Sequence, residues 1–162
     1  MTDPSRTLIT TRSAFHDALR SAVGEVADRG CLELWLVDTD FADWPLGERA
    51  VIENLTRWAQ SHRRLTLIAQ NFDEVVRRHP RFVEWRRQWS HVVHCRTNTE
   101  LEAGQMPTLL LAPGVVLVRL SDAVHWRGVR SSDPADLILA RETIDAVLQR
   151  SAEAFPATTL GL

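Results

Sequence analysis

The side chains best suited to chemistry in this sequence follow three apolar segments. Each segment is followed by carboxylates, amides or a guanidinium, and the candidate ligand rim comprises Asp38, Asp40, Gln70, Asn71 and Arg96. Carboxylate oxygens could hold a divalent cation, and a guanidinium could hold an anion. The same residue types also close turns and cap helices, and we favour that structural interpretation for most of them.

Asp38 and Asp40 have a spacing that is used in phosphoryl transfer. An apolar strand ending in Asp-x-Asp resembles the first motif of haloacid dehalogenase-like phosphatases, in which the first carboxylate attacks phosphorus and both bind magnesium. Here the family's Gly/Thr context is missing, Gln70 stands where that family has Ser or Thr, and the sequence has no Lys. Response-regulator receivers also need that Lys. A metal-dependent hydrolase of a phosphorylated small molecule therefore remains an alternative function.

The segment from Arg77 to Trp89 has the highest density of basic and aromatic side chains. The candidate interaction patch within it comprises Arg77, Arg78, Arg81, Trp85, Arg86 and Arg87. Such a patch could bind phosphates and stack on bases, or bind a partner protein. Helical spacing, however, favours Trp85 in the core and leaves Arg78, Arg81 and Arg87 as a solvated face. A nucleic-acid accessory protein is thus a second alternative.

The composition limits the chemistry that is available. The chain has 162 residues and a net charge of -2, and its 19 basic residues are all Arg, so no lysine amine is present. The near-neutral charge makes general nucleic-acid binding unlikely. Cys31 and Cys95 are isolated, which favours reduced core cysteines and no zinc site. Without a signal-peptide pattern or an apolar span, we expect a cytoplasmic protein with no membrane contact, no cofactor and no bound metal.

The elements that must position these residues alternate along the chain. Strands are predicted at 7–11, 31–37, 65–69, 91–96, 108–111 and 115–120. Helices are predicted at 13–28, 47–61, 73–78, 81–89 and 135–150, and residues 122–133 are predicted as a loop. This order predicts an α/β fold with a mixed, mostly parallel sheet and helices on both faces. We expect a single domain over residues 1–162, with its core at about 10–150 and a tail at 151–162.

The second half, with a strand, a hairpin, a polar loop and a closing helix, resembles one half of a phospholipase D superfamily domain. The resemblance covers about residues 10–150. The chain is also similar to uncharacterised bacterial proteins, from proteobacteria, that contain such domains. The family's catalytic signature, His-x-Lys and then Asp after four residues, lies on the strands of this hairpin. Thr108–Leu120 contains no His and no Lys. The resemblance therefore implies a degenerate active site. Since active members bury their site between two halves, it also implies a homodimer.

Together these features favour a non-catalytic phospholipase D-like domain that acts as a protein-interaction or anion-binding module. The family's catalytic His and Lys have no counterpart in the hairpin, residues 108–120. The identity of the protein partner or anion is not written in the sequence.

Overall fold

The fold is built on one mixed sheet, as seen in a computed structural model that describes residues 4–60, 62–102 and 104–156. Its strands are β1 (Arg6–Ile9), β2 (Glu33–Val37), β3 (Arg64–Ala69), β4 (Val93–Thr97), β5 (Thr108–Ala112), β6 (Val116–Asp122), β7 (Arg127–Ser131) and β8 (Ala152–Glu153). Their spatial order is β1-β7-β6-β5-β2-β3-β4-β8. The helices are α1 (Arg12–Arg29), α2 (Arg49–Trp58), α3 (Asp73–Arg78), α4 (Pro80–Gln88) and α5 (Pro134–Gln149).

The α/β class is confirmed, but the expectation of a mostly parallel sheet is wrong. Only β2, β3 and β4 run parallel to one another, joined by the crossovers that contain α2 and the α3–α4 pair. Every other strand pair in the described part of the chain is antiparallel. The hairpin β5–β6 sits beside β2, and β7 then pairs between β6 and β1. Short hairpin connections impose antiparallel pairing, whereas helical crossovers allow parallel pairing.

Local signals in the sequence account for the ends of the two longest helices. The Thr11 side chain accepts a hydrogen bond from the Ala14 amide at 3.0 Å and so caps the start of α1. Gly30 ends α1 in a left-handed conformation with φ of 70°. Asp133 caps α5 in the same way as Thr11 caps α1, and Pro134 occupies its first turn.

The two faces of the sheet are covered unequally. One face packs against α1, α2, α3 and α4, and large buried side chains such as Phe15, Trp58 and Phe82 fill that layer. The other face packs against α5, whose Leu137 and Ile144 contact the sheet residues around Val37. The prediction of helices on both faces is therefore confirmed.

Two strands lie where the sequence predicts none. β7 falls inside the predicted loop 122–133, and β8 falls inside the predicted tail. β7 carries little apolar periodicity, because two of its five residues are Arg and one is Gly128. Among the described residues, no helix is long and apolar enough to cross a membrane.

Candidate functional site

The carboxyl ends of β2, β3 and β4 lie side by side, as the ligand rim requires. The Gln70 amide donates to the Thr39 carbonyl at 2.9 Å, and the Asn98 amide donates to the Ala69 carbonyl at 2.9 Å. These bonds join the loop after each strand to the neighbouring strand end. The rim residues that follow β2 and β3 therefore share one edge of the sheet.

Both oxygens of the Asp38 carboxylate already accept hydrogen bonds within the protein. Its Oδ1 accepts a hydrogen bond from the Thr108 hydroxyl at 2.6 Å, and its Oδ2 accepts one from the Phe41 amide at 2.9 Å. Burial raises the pKa of Asp38, although these hydrogen bonds oppose the shift. Asp40 also has a local structural role, because its Oδ1 accepts a hydrogen bond from the Ala42 amide at 2.9 Å.

The amides of the rim also form structural hydrogen bonds, and the guanidinium lies elsewhere. Gln70 Nε2 donates to the Leu101 carbonyl at 2.7 Å, and Asn71 Oδ1 accepts from the Asp73 amide at 3.2 Å. Arg96 donates to the Ser151 hydroxyl at 2.7 Å and to the Ser151 carbonyl at 2.8 Å. Its side chain thus secures the chain after α5 and does not join Asp38.

The rim offers a metal ion few free oxygens. Asp38 and Asp40 each use at least one oxygen for a backbone amide. Within residues 4–60, 62–102 and 104–156, no three His, Cys, Asp or Glu side chains are grouped as a metal site would require. The hydrolase hypothesis therefore rests on the Asp38 and Asp40 pair alone.

The candidate interaction patch divides into an exposed part and a buried part. Arg77 and Arg78 both donate to Glu74, and Arg87 donates to Glu84 at 3.1 Å. Arg81, also exposed, donates to the Gly47 carbonyl at 3.2 Å. Most of the exposed positive charge is therefore balanced by acids within one helical turn, as expected for a solvated helix face.

Trp85 and Arg86, two members of the candidate interaction patch, do not lie on the exposed face of α4. Trp85 is buried, and its Nε1 donates to the Thr56 hydroxyl at 2.9 Å. Arg86 is also buried, and it donates to the Val93 carbonyl at 2.9 Å. The interaction patch must be corrected at both positions, because the apolar face of α4 turns them into the interior.

One cavity, which we call the hairpin groove, lies between the β5–β6 hairpin and the second half of α5. It has a volume of about 720 Å³. Its polar or charged lining residues include Asn98, Gln105, Thr108, Arg119, Thr143 and Arg150. Asn98 has a structural role there, because its side-chain amide donates to the Val147 carbonyl at 2.9 Å and its Oδ1 accepts two backbone amides.

The guanidinium of Arg119 is the least engaged cation in the hairpin groove. Within the described part of the chain it has no hydrogen-bond or ion-pair partner, whereas Arg150 lies 3.6 Å from Glu100. Sequence reasoning missed Arg119. The signal that could have found it is a charged residue at a position of β6 that points to the same face as the buried Leu117.

Comparison with known proteins identifies the fold. No protein-family model matches the chain, and no curated protein matches it. TrmBL2, an archaeal chromatin protein whose structure shows a novel mode of DNA binding, superposes with a TM-score of 0.65 at 11% identity. That match covers 95% of this chain but 56% of TrmBL2, so the chain spans about half of that protein.

Two shorter proteins match over nearly their whole length. NucT from Helicobacter pylori gives a TM-score of 0.59 at 10% identity, covering 92% of this chain and 98% of NucT. Nuc from Salmonella typhimurium, a phospholipase D family member, gives 0.60 at 9% identity, covering 94% and 99%. The fold is therefore phospholipase D-like, and the resemblance seen in the sequence is confirmed at the level of the fold.

Proposed function

We propose that this protein is a non-catalytic phospholipase D-like module that binds an organic anion in the hairpin groove. The observation that carries the proposal is Arg119, a cation that lines the hairpin groove and has no hydrogen-bond or ion-pair partner among the described residues. The hairpin that lines this cavity lacks the family's His and Lys, and the whole sequence contains no Lys. The site can attract an anion but lacks the nucleophile of the family's phosphodiesterases.

The electrostatics around Arg119 support an anionic ligand. Arg119 contributes to lowering the pKa of Asp136, although the main cause is the hydrogen bond from Arg6. Asp136 bonds to Arg6 and to Ser131, and in the described part of the chain it forms no hydrogen bond or ion pair with Arg119. A guanidinium in a groove is well suited to bind a carboxylate or phosphate through two parallel hydrogen bonds.

The remaining lining indicates that the ligand has an apolar body. Apolar groove residues include Leu101, Met106, Pro107, Leu120, Ala146 and Val147. Small-molecule sites combine such surfaces with a few polar groups that fix orientation. A volume of about 720 Å³ can hold a molecule considerably larger than an inorganic ion.

The test compares two arginine variants in a ligand panel. Calorimetry or thermal shift with phosphorylated and carboxylated small molecules should reveal at least one that binds the wild type. Arg119→Gln should weaken that binding by about tenfold, equivalent to about 1.4 kcal/mol. Arg49→Gln is the matched control, because Arg49 is an exposed arginine on α2 that does not line the groove. Equal binding by both variants would contradict the groove assignment.

The non-catalytic part has its own test. We expect the wild type to show no turnover of a chromogenic phosphodiester, with or without magnesium. Asp38→Asn and Arg119→Gln are the two variants that matter, because they alter the rim and the groove respectively. Turnover that Asp38→Asn abolishes would instead support the metal-dependent hydrolase hypothesis.

Nucleic-acid binding is a second candidate, favoured by the fold similarity to TrmBL2 and by the exposed arginines of α3 and α4. Arg81 is the informative residue, because its guanidinium bonds a carbonyl and not a carboxylate. Electrostatic binding of DNA would weaken steeply with salt, and Arg81→Gln would reduce the salt dependence. Binding that is absent at low salt would exclude this candidate.

A homodimer or another protein partner stays a prediction. Ile138 and Leu139 are neighbouring exposed apolar residues on α5, and Leu8 is exposed on β1. Exposed apolar surface is a common feature of protein interfaces. Sedimentation equilibrium tests the homodimer directly, since a monomer at micromolar concentration would rule it out.

A further inference from the structure

A second cavity lies against the outer strand β4, where the short strand β8 covers only part of its edge. This cavity, which we call the β4 edge cavity, has a volume of about 420 Å³. Its charged or titratable lining residues are Arg64, Arg86, His94, Cys95, Arg96 and Glu153. Three arginines and a histidine therefore face one carboxylate, and none of these residues lines the hairpin groove.

Arg86 is the unusual member of this set, because it is a buried cation. Its side chain is 6% exposed, and its two terminal nitrogens donate to the Val93 carbonyl at 2.9 Å and the Phe155 carbonyl at 3.2 Å. Its Nε is buried and has no partner in the described part of the chain. Carbonyls satisfy donors but do not neutralise a charge, and an uncompensated buried charge is unfavourable.

The neighbouring cations are also poorly compensated. The side chain of Arg64 has no hydrogen-bond or ion-pair partner among the described residues, and Arg96 donates only to Ser151. Burial, together with the positive charges of Arg64 and Arg86, lowers the pKa of His94. Burial is the larger cause, and the contribution of the two arginines is in the direction that a surplus of positive charge produces.

We propose that the β4 edge cavity binds a phosphate-type oxyanion, either inorganic phosphate or the phosphoryl group of a small monoester. Arg64 and Arg86 line the cavity from two elements, β3 and α4, and Ser90 also lines it. A tetrahedral oxyanion offers enough acceptors for donors that arrive from several directions, whereas a carboxylate offers its acceptors in one plane. A bound dianion would also compensate the charge of Arg86.

The test measures inorganic phosphate binding by 31P NMR line broadening at constant ionic strength. Wild type should bind saturably. Arg64→Gln should weaken binding by about fivefold, and the double variant with His94→Gln should weaken it further. These residues are preferred to Arg86, whose replacement could unfold the edge of the sheet. Arg87→Gln is the matched control, because Arg87 follows Arg86 on α4, is exposed and pairs with Glu84.

A further variant, Arg119→Gln, separates this proposal from the function proposed above. Phosphate binding that survives Arg119→Gln but falls in Arg64→Gln supports the β4 edge cavity. Binding that falls only in Arg119→Gln would overturn it and would place the anion in the hairpin groove. No saturable binding, or equal binding by wild type and the Arg64→Gln variant, would also overturn it.

Discussion

The loops at the ends of β2 and β3 use their polar side chains differently from strand β6. In the parallel half, β2 and β3 end in loops whose carboxylates and amides bond to the backbone and to Thr108. In the antiparallel half, β6 presents Arg119 to a groove without any partner in the described structure. Polar residues at strand ends are therefore poor indicators of function when their hydrogen bonds close locally, whereas an uncompensated cation in a cavity is a better indicator.

The reason lies in the connections between the strands. Parallel strands are joined by crossovers, and each crossover begins with a loop whose free amides need acceptors such as Asp38 and Asp40. The tight turn of the β5–β6 hairpin closes on itself through the Val115 amide and the Ala112 carbonyl, 2.9 Å apart. The β5–β6 turn therefore needs no side-chain acceptor of the kind that Asp38 and Asp40 supply, and Arg119 on β6 has no such structural role in the described part of the chain.

The largest effect is expected for Gly128→Ala in the antiparallel half. An added Cβ would overlap the Arg119 carbonyl and lie 2.8 Å from the Leu120 Cα. These are backbone atoms, so β6 and β7 would have to separate, at a cost we expect to be at least about 3 kcal/mol of unfolding free energy. Denaturant unfolding measures the change, and ligand binding by Arg119 should be lost with it.

The matched control is Gly24→Ala on α1. Its added Cβ would lie 3.6 Å from Asn54 Nδ2, an ordinary contact, and helical Ala is favoured over Gly by about 1 kcal/mol. We therefore expect Gly24→Ala to be neutral or stabilising. A Gly128→Ala variant as stable as wild type would show that β6 and β7 are not held as closely as the structure indicates.

A smaller loss is expected for Asp38→Ala in the parallel half. The substitution leaves the Phe41 amide and the Thr108 hydroxyl without their acceptor, which should cost about 2–4 kcal/mol. Asp40→Ala removes one acceptor of a backbone amide in a half-buried loop and should cost about 1 kcal/mol. Chemical denaturation distinguishes them. Similar losses of unfolding free energy for the two variants would mean that the two hydrogen bonds of Asp38 contribute little to stability.

The sequence predicted the parallel half well and the antiparallel half incompletely. Strands β2 and β3 are continuous apolar segments between clear helices, so local pattern was sufficient. β7 was missed because its residues are mostly half-exposed, and one of its two partners is β1, more than a hundred residues away along the chain. Long-range pairing of this kind also reversed the expected balance of parallel and antiparallel strands.

The candidate sites show the same limit. The solvated face of α4 could be inferred from local spacing, whereas the adjacency of the strand ends could not, because local spacing does not give the order of strands in the sheet. The burial of Arg86 could not, because it depends on where Phe155 and β4 lie relative to α4. Whether a polar group has a partner is a property of the folded chain. The sequence could therefore name Asp38 and Arg86 as candidates, but it could not show which of them has its charge compensated.

The smallest effect, and the finest comparison of the two halves, is the pH dependence of Asp136→Asn and Asp38→Asn. The hydrogen bond from Arg6 is the largest cause that lowers the pKa of Asp136 in the folded protein. Its carboxylate therefore stabilises the fold above about pH 4, and this contribution is lost as the pH falls through the lowered folded pKa. Asp136→Asn should cost more stability at pH 7 than at pH 3, as measured by urea unfolding at both values.

Asp38→Asn should show the opposite trend. Because burial raises the pKa of Asp38, the folded state binds its proton more tightly than the unfolded state does. The wild type therefore loses stability from this group as the pH rises from about 4 through the raised pKa, and the neutral Asn escapes that loss. Asn can also accept from the Phe41 amide and donate to the Thr108 hydroxyl. Relative to wild type, Asp38→Asn should gain stability between pH 3 and pH 7. A parallel loss in both variants would refute the contrast between the buried carboxylate of the parallel half and the ion-paired carboxylate beside β7.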